Sequence, residues 1–196
     1  PGPRFQKPDG GFALWQELRE SDLYLTAYVL LVNSQTRELG AALPPEVERS
    51  ALKYLAAALN KRPDHEPDVQ AVALWVLSRE GASAKDALRL FPLVRERVTA
   101  QSNGADPLGL SALLLAAHSL PNVADREKVR SELIAALEKS AAVTATQLHF
   151  AARSPARWWQ SIGSTLRDNG LADVSGAAMI TLEVDGTVTV IPRKKD

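Results

Sequence analysis

The chain has 196 residues, enough for one large domain or two small ones with a buried core. Lysine plus arginine number 23 and aspartate plus glutamate number 23, so no net charge steers the protein toward nucleic acid or an acidic surface. Cysteine is absent, which excludes disulfides, thiolate zinc sites, iron–sulfur clusters and a thiol nucleophile. Thirty alanines and 28 leucines stand against four phenylalanines, three tyrosines and four tryptophans, a balance that favours helices over strands. The expected class is all-α, one helical domain over residues 1–196. The longest nearly apolar run, Tyr24 to Val32, falls short of the roughly 18 residues of a membrane span, and no basic-then-apolar leader opens the chain.

Residues 1–20 form a lead-in: PGPRFQKPDGGF holds three prolines and three glycines, with Asp9-Gly10-Gly11 a turn signal. Residues 21–140 read as helical hairpins. Ser21 or Asp22 caps a helix with Leu23, Ala27, Leu30 and Leu31 at helical spacing, and Gly40 ends it. Pro44-Pro45 opens a second, striped by Val47, Ala51, Leu52, Leu55, Ala58 and Leu59 and stopped at Lys61 to Pro63. The short loop makes these two antiparallel neighbours. Pro67 or Asp68 opens a third helix, closed by Gly81. Ser83 caps a fourth, in which Pro92 predicts a kink or a break into two short helices. Asp106-Pro107 opens a fifth, ended by Pro121, and Asp125 a sixth, ending near Ser140. Three hairpins of roughly 40 residues each match the length of paired-helix repeats. Residues 141–196 are less regular. Thr144 to Ala152 is a possible helix, Trp158-Trp159 follows, and Ile162 to Arg167 is a further helical piece ending near Asn169-Gly170. Ile180–Val184 and Thr187–Ile191 alternate as two strands around Asp185-Gly186, a terminal β-hairpin.

Side chains that carry chemistry are scattered. His65, His118 and His149 share no metal-ligand spacing. Asp64, His65, Glu66 and Asp68 lack the glycine and spaced carboxylates of a calcium loop and read as a solvated connector with a helix cap. Gly10-Gly11 has no following lysine with serine or threonine to make a phosphate loop, and no G-x-S-x-G elbow occurs. Trp158-Trp159 reads more simply as core or interface than as a binding platform. The residues point to no enzyme, no cofactor and no metal.

The informative text is Gln6-Lys7-Pro8-Asp9-Gly10-Gly11-Phe12, then Trp15, then Tyr24-Leu25-Thr26-Ala27-Tyr28-Val29. It resembles the α-2-macroglobulin and complement thioester-domain family, in which a Q-x-x-D-G-[GS]-F turn precedes an [WY]-L-T-A-[YF]-V helix start. The similarity continues through Gly40, Leu43-Pro44-Pro45 and AVALWVLSREG (Ala71 to Gly81), which is similar to the bacterial branch. It covers about residues 4 to 140, with residues 158 to 170 a weaker continuation.

The resemblance implies an α/α toroid of antiparallel hairpins, of which this chain supplies only part. It also implies a non-enzymatic fragment of an endopeptidase inhibitor, a protease trap whose multidomain parent changes shape after bait cleavage. The implied partners are proteases, through the parent, and the parent's other domains, with a periplasmic, cell-envelope or extracellular location. The family's Cys-x-Glu-Gln thioester has no counterpart here, and the histidine that assists acyl transfer in complement relatives is missing from Ala13 to Leu23. By this resemblance Gln6, Asp9, Gly10, Gly11, Phe12, Trp15, Leu25, Thr26 and Tyr28 are the wall of a thioester site whose reactive residues lie elsewhere. The alternative reading of the same turn is structural, with Phe12 and Trp15 in the core. Two other functions fit a helical repeat: a protein–protein interaction module holding a peptide on a concave face, and a terpenoid-cyclase-like toroid enzyme. The last lacks the D-x-D-D acid, and its Asp, Cys, His zinc set needs a cysteine.

Overall fold

Four helices begin on a side-chain cap or a proline that the sequence offers. α1 (Leu23–Thr36) starts after Asp22, whose carboxylate accepts the Leu25 N–H at 2.6 Å and so satisfies a donor that the first turn cannot. A short turn, Arg37–Leu39, ends at Gly40 with φ 77°, the left-handed closure that glycine makes cheaply. α2 (Pro45–Lys61) and α3 (Pro67–Arg79) both start on proline, which has no N–H to orphan there. α4 spans Ala84–Thr99. α5 (Pro107–Ser119) is capped by Asp106, which accepts the Leu108 N–H at 2.8 Å, and α6 spans Arg126–Ser140. This computed structural model describes residues 5–61, 66–101, 105–143, 148–150, 177–182 and 188–192. The chain divides into two units, Pro1–Arg153 and Ser154–Asp196.

Polar contacts between helices fix their directions in the first unit. Arg37, just past the end of α1, pairs with Glu48 in the first turn of α2, while Tyr54 further along α2 donates its hydroxyl to Ser21 O ahead of α1, at 2.9 Å. The two helices therefore run antiparallel. Arg97 near the end of α4 donates to Gln70 Oε1 near the start of α3 at 2.6 Å, so the second hairpin is antiparallel as well. Arg37 also reaches Glu80, past the end of α3, at 3.7 Å, and the first turn of α5 lies on the first turn of α3. α1, α3 and α5 are thus parallel neighbours in one row. α2 and α4 lie behind that row, against α3 and each other, and α6 packs on α5.

This placement explains the burial pattern. α3 is flanked on every side and buries Val69, Ala71, Val72, Ala73, Leu74, Val76 and Leu77 together with Asp68, Gln70 and Ser78. A helix that is apolar all round belongs in an interior, and its sequence says so. α2 and α4 lie at the back and bury one stripe each. The described residues up to Ser140 therefore form six packed helices in the expected chain order, with the α1–α2 and α3–α4 pairs antiparallel as expected.

Two local expectations about α4 need correction. α4 is one continuous helix through Pro92, not two. Pro92 sits on the exposed side of α4, where the missing helical N–H costs less than it would in the core. Ser83 occupies the N-cap position of α4 but its hydroxyl makes no cap bond. Asp125 opens α6 as expected, and does so in the left-handed region, with φ 50°. A third correction concerns Thr144 to Ala152. Within it, β2 (Leu148–Phe150) is a strand paired antiparallel with β1 (Ala141–Val143), Val143 opposite Leu148. β-Branched residues are frequent between Ala141 and Phe150, and they favour pleated backbone over helix.

In the second unit, β3 (Ala177–Leu182) pairs antiparallel with β4 (Val188–Pro192), Thr181 opposite Thr189, with an irregularity between Ala177 and Met179. Trp158-Trp159, the piece Ile162 to Arg167, and the Asp64-His65 pair lie outside the described residues.

Candidate functional site

The Q-x-x-D-G-G-F text folds into a turn whose polar groups are nearly all used internally. Gly10 N–H donates to Lys7 O at 2.9 Å and Lys7 N–H to Gly11 O at 2.8 Å, which closes the loop. Asp9 Oδ1 accepts the Gly11 N–H at 3.0 Å and the Ser21 hydroxyl at 2.6 Å, tying the turn to the residue just before α1. Gln6 Nε2 donates to Gly10 O and to Val47 O, both at 2.9 Å, tying it also to α2. These are the two ends of one hairpin, so the turn staples the α1–α2 pair.

Both glycines are required by close approach. Gly10 has φ 93°, and a Cβ on it would stand 2.4 Å from the Ser50 carbonyl oxygen. A Cβ on Gly11 would meet the Ser21 side chain at 2.5 Å and the Tyr54 ring at 2.9 Å. The turn therefore lies directly on α2, closer than any other residue type permits.

Phe12 follows as an extended residue bridged to Gln6 on one side and Asp22 on the other. Its N–H donates to Thr26 Oγ1 at 2.8 Å, its carbonyl accepts the Asp22 N–H at 2.8 Å, and Thr26 Oγ1 in turn donates to Asp22 O at 2.6 Å. Thr26 is fully buried and Phe12 is 5% exposed. Leu25 is half-buried against the core.

Trp15 does not join them. It is 61% exposed, because after Ala13 the chain leaves the core in a run of bends, with the Trp15 and Gln16 carbonyls held by the Lys7 ammonium at 3.3 and 2.7 Å. Tyr28 is half exposed and stacks on Tyr24 one turn earlier, ring centroids 6.3 Å apart. The nine residues singled out thus separate into two groups. Gln6, Asp9, Gly10, Gly11, Phe12, Thr26 and Leu25 form or adjoin the stapled turn, while Trp15 and Tyr28 lie on the surface. Sequence reasoning missed Ser21, Val47, Ser50 and Tyr54, the acceptors and walls of the turn. Three of them sit in α2, some forty positions from Gln6, and no local spacing marks them.

Among the described residues no group of histidines and carboxylates is placed to hold a metal, and no helix is long and apolar enough to cross a membrane. His118 is exposed on α5.

These features define an α/α helical architecture, a row of parallel helices backed by antiparallel partners, with a clamped glycine turn at its head. The fold is similar to that seen in three solved structures of a bacterial protein. The chain is similar to Escherichia coli α-2-macroglobulin spanning domain MG7 to the C-terminus in its native form, with 20% identity and a TM-score of 0.56 over 88% of this chain and 27% of that one. It matches the native full protein at 20% identity and a TM-score of 0.55, over 88% of this chain and 11% of that one. The trypsin-activated form matches at 23% identity and 0.55, over 67% and 9%. The chain therefore spans about a quarter or less of the length of these proteins. No protein-family model matches it, and no curated protein matches it by sequence.

Proposed function

We propose that this chain is part of the helical thioester-type domain of a bacterial α-2-macroglobulin-like protease trap, and that it has no thioester and no catalysis of its own. The observation that carries this reading is the fold match to the MG7-to-C-terminus portion of the Escherichia coli protein over 88% of the chain. The stapled Gln6–Phe12 turn supports it, because the family's Q-x-x-D-G-[GS]-F motif is built here into the junction of two helices rather than left as a loose loop. In this reading the α1–α3–α5 row is an arc of a larger α/α toroid, the turn is the wall of a reactive site, and the parent protein works outside the cytoplasm on proteases.

The test is the parent itself. Its reading frame should encode Cys-x-Glu-Gln or a degenerate remnant upstream of Gln6. The purified parent, treated with trypsin, should change its hydrodynamic radius and retain the protease. A parent that keeps its shape and releases active trypsin overturns the proposal. A helical-repeat module would instead bind a peptide without any upstream inhibitor domains.

A further inference from the structure

α6 buries fewer residues than any other helix described. Val129 and Leu133 are the two buried among its fifteen, against ten of thirteen in α3. Seven of the fifteen are charged, so the helix suits water as well as it suits a neighbour. It packs on α5, and the Arg95–Glu132 ion pair ties it to α4 across an open cleft of about 420 Å³. Both side chains of that pair are partly in water, where such a pair contributes little.

The connection into α6 can turn without disturbing the core. Pro121, Asn122, Ala124 and Asp125 are exposed, and Asp125 stands in the left-handed region with φ 50°. A few loop residues of this kind absorb the backbone rotation of a hinge. The buried residues from Phe12 to Leu120 all lie in α1 to α5 and the segments joining them. Lifting α6 therefore removes two side chains from the core and leaves the rest of it packed. Beneath α6, the helix α5 has no carboxylate, lysine or arginine from Pro107 to Ser119, so undocking bares an uncharged surface.

We infer that α6 is a detachable strap, which docks and undocks as a unit about the Pro121–Asp125 connection while α1 to α5 stay folded. Its undocked state opens the α4–α6 cleft and bares α5. A partner that binds the bared surface draws α6 off, and one that bridges α4 and α6 holds it on. This does not depend on the function proposed above.

The chain has no cysteine, so a single introduced thiol gives an unambiguous signal of opening. The experiment places one thiol at a time in the 196-residue chain, by Leu133→Cys in α6 or Leu77→Cys in α3, both buried positions, and by Ala135→Cys as an exposed control. Each variant is labelled with 5,5′-dithiobis(2-nitrobenzoate) at rising urea below the unfolding transition. Leu133→Cys should react at least about a hundredfold faster than Leu77→Cys, with a rate nearly independent of urea, because undocking exposes little surface. Leu77→Cys should react only through global unfolding, with a steep dependence on urea. In the unmodified chain, amide exchange over residues 126–140 should show the same separation from residues 67–79, which keeps the test open if a variant fails to fold. Equal rates and equal urea dependence at 133 and 77 overturn the inference, because α6 then leaves only when the whole core unfolds. Leu133→Cys reacting as fast as Ala135→Cys overturns it as well, because α6 is then not docked.

Discussion

The Phe12 N–H donates to Thr26 Oγ1 across fourteen positions, at 2.8 Å, and this bond joins the lead-in to the first helix inside the core. Thr26 is fully buried, so neither group has water to fall back on. Thr26→Val keeps the shape and removes the oxygen, leaving the Phe12 N–H without its partner. The expected loss is about 1–3 kcal/mol in denaturant unfolding, and Thr26→Ser should recover most of it. A silent Thr26→Val would mean that the lead-in is not docked as described.

Phe12 and Trp15 should behave oppositely although both are aromatic and three positions apart. Phe12→Ala empties a core position and is expected to cost about 3–5 kcal/mol. Trp15→Ala removes a side chain that is mostly in water and should change stability by about 0.5 kcal/mol or less. Thermal melts of the two variants side by side check both.

Gly10 and Gly40 both have positive φ, but only Gly10 is crowded. Alanine at Gly40 meets nothing within 4 Å and carries the left-handed penalty alone, on the order of 1 kcal/mol. Alanine at Gly10 adds a collision with the Ser50 carbonyl, so its cost should be clearly larger, and it should loosen the Gln6 bond to Val47 O as well. Amide exchange at Lys7 and Gly11 reports that loosening. Equal costs for the two variants would contradict the close approach of the turn to α2.

The chain should form no covalent bond to a protease or a small amine, because a thioester requires a thiol and the sequence has none. Incubation with trypsin followed by boiling, reductant and a denaturing gel should show no high-mass adduct. Mass spectrometry after methylamine should show no gain. Either signal would require an electrophilic group outside the family's chemistry.

Helix positions were legible in the sequence because their causes are local. Asp22, Pro45, Pro67 and Asp106 start helices through caps or missing N–H groups within one turn, and apolar spacing carries the rest. The turn at Asp9 to Gly11 was legible for the same reason. Pro92 misled in one respect, since a proline's cost depends on whether the freed carbonyl is buried, and no local spacing states that.

The sequence by itself determined the helical class, the hairpin order, the absence of thiol chemistry and the text of the glycine turn. Only the tertiary structure decided that α1, α3 and α5 stand side by side, that Gly10 and Gly11 lie on Ser50 and Tyr54, and that Phe12 goes in while Trp15 stays out. The reason is range. Propensity and capping act over three or four residues, whereas the contacts that set burial and close approach join positions some ten to forty apart, and nothing in the spacing of a single chain records which distant residue will arrive.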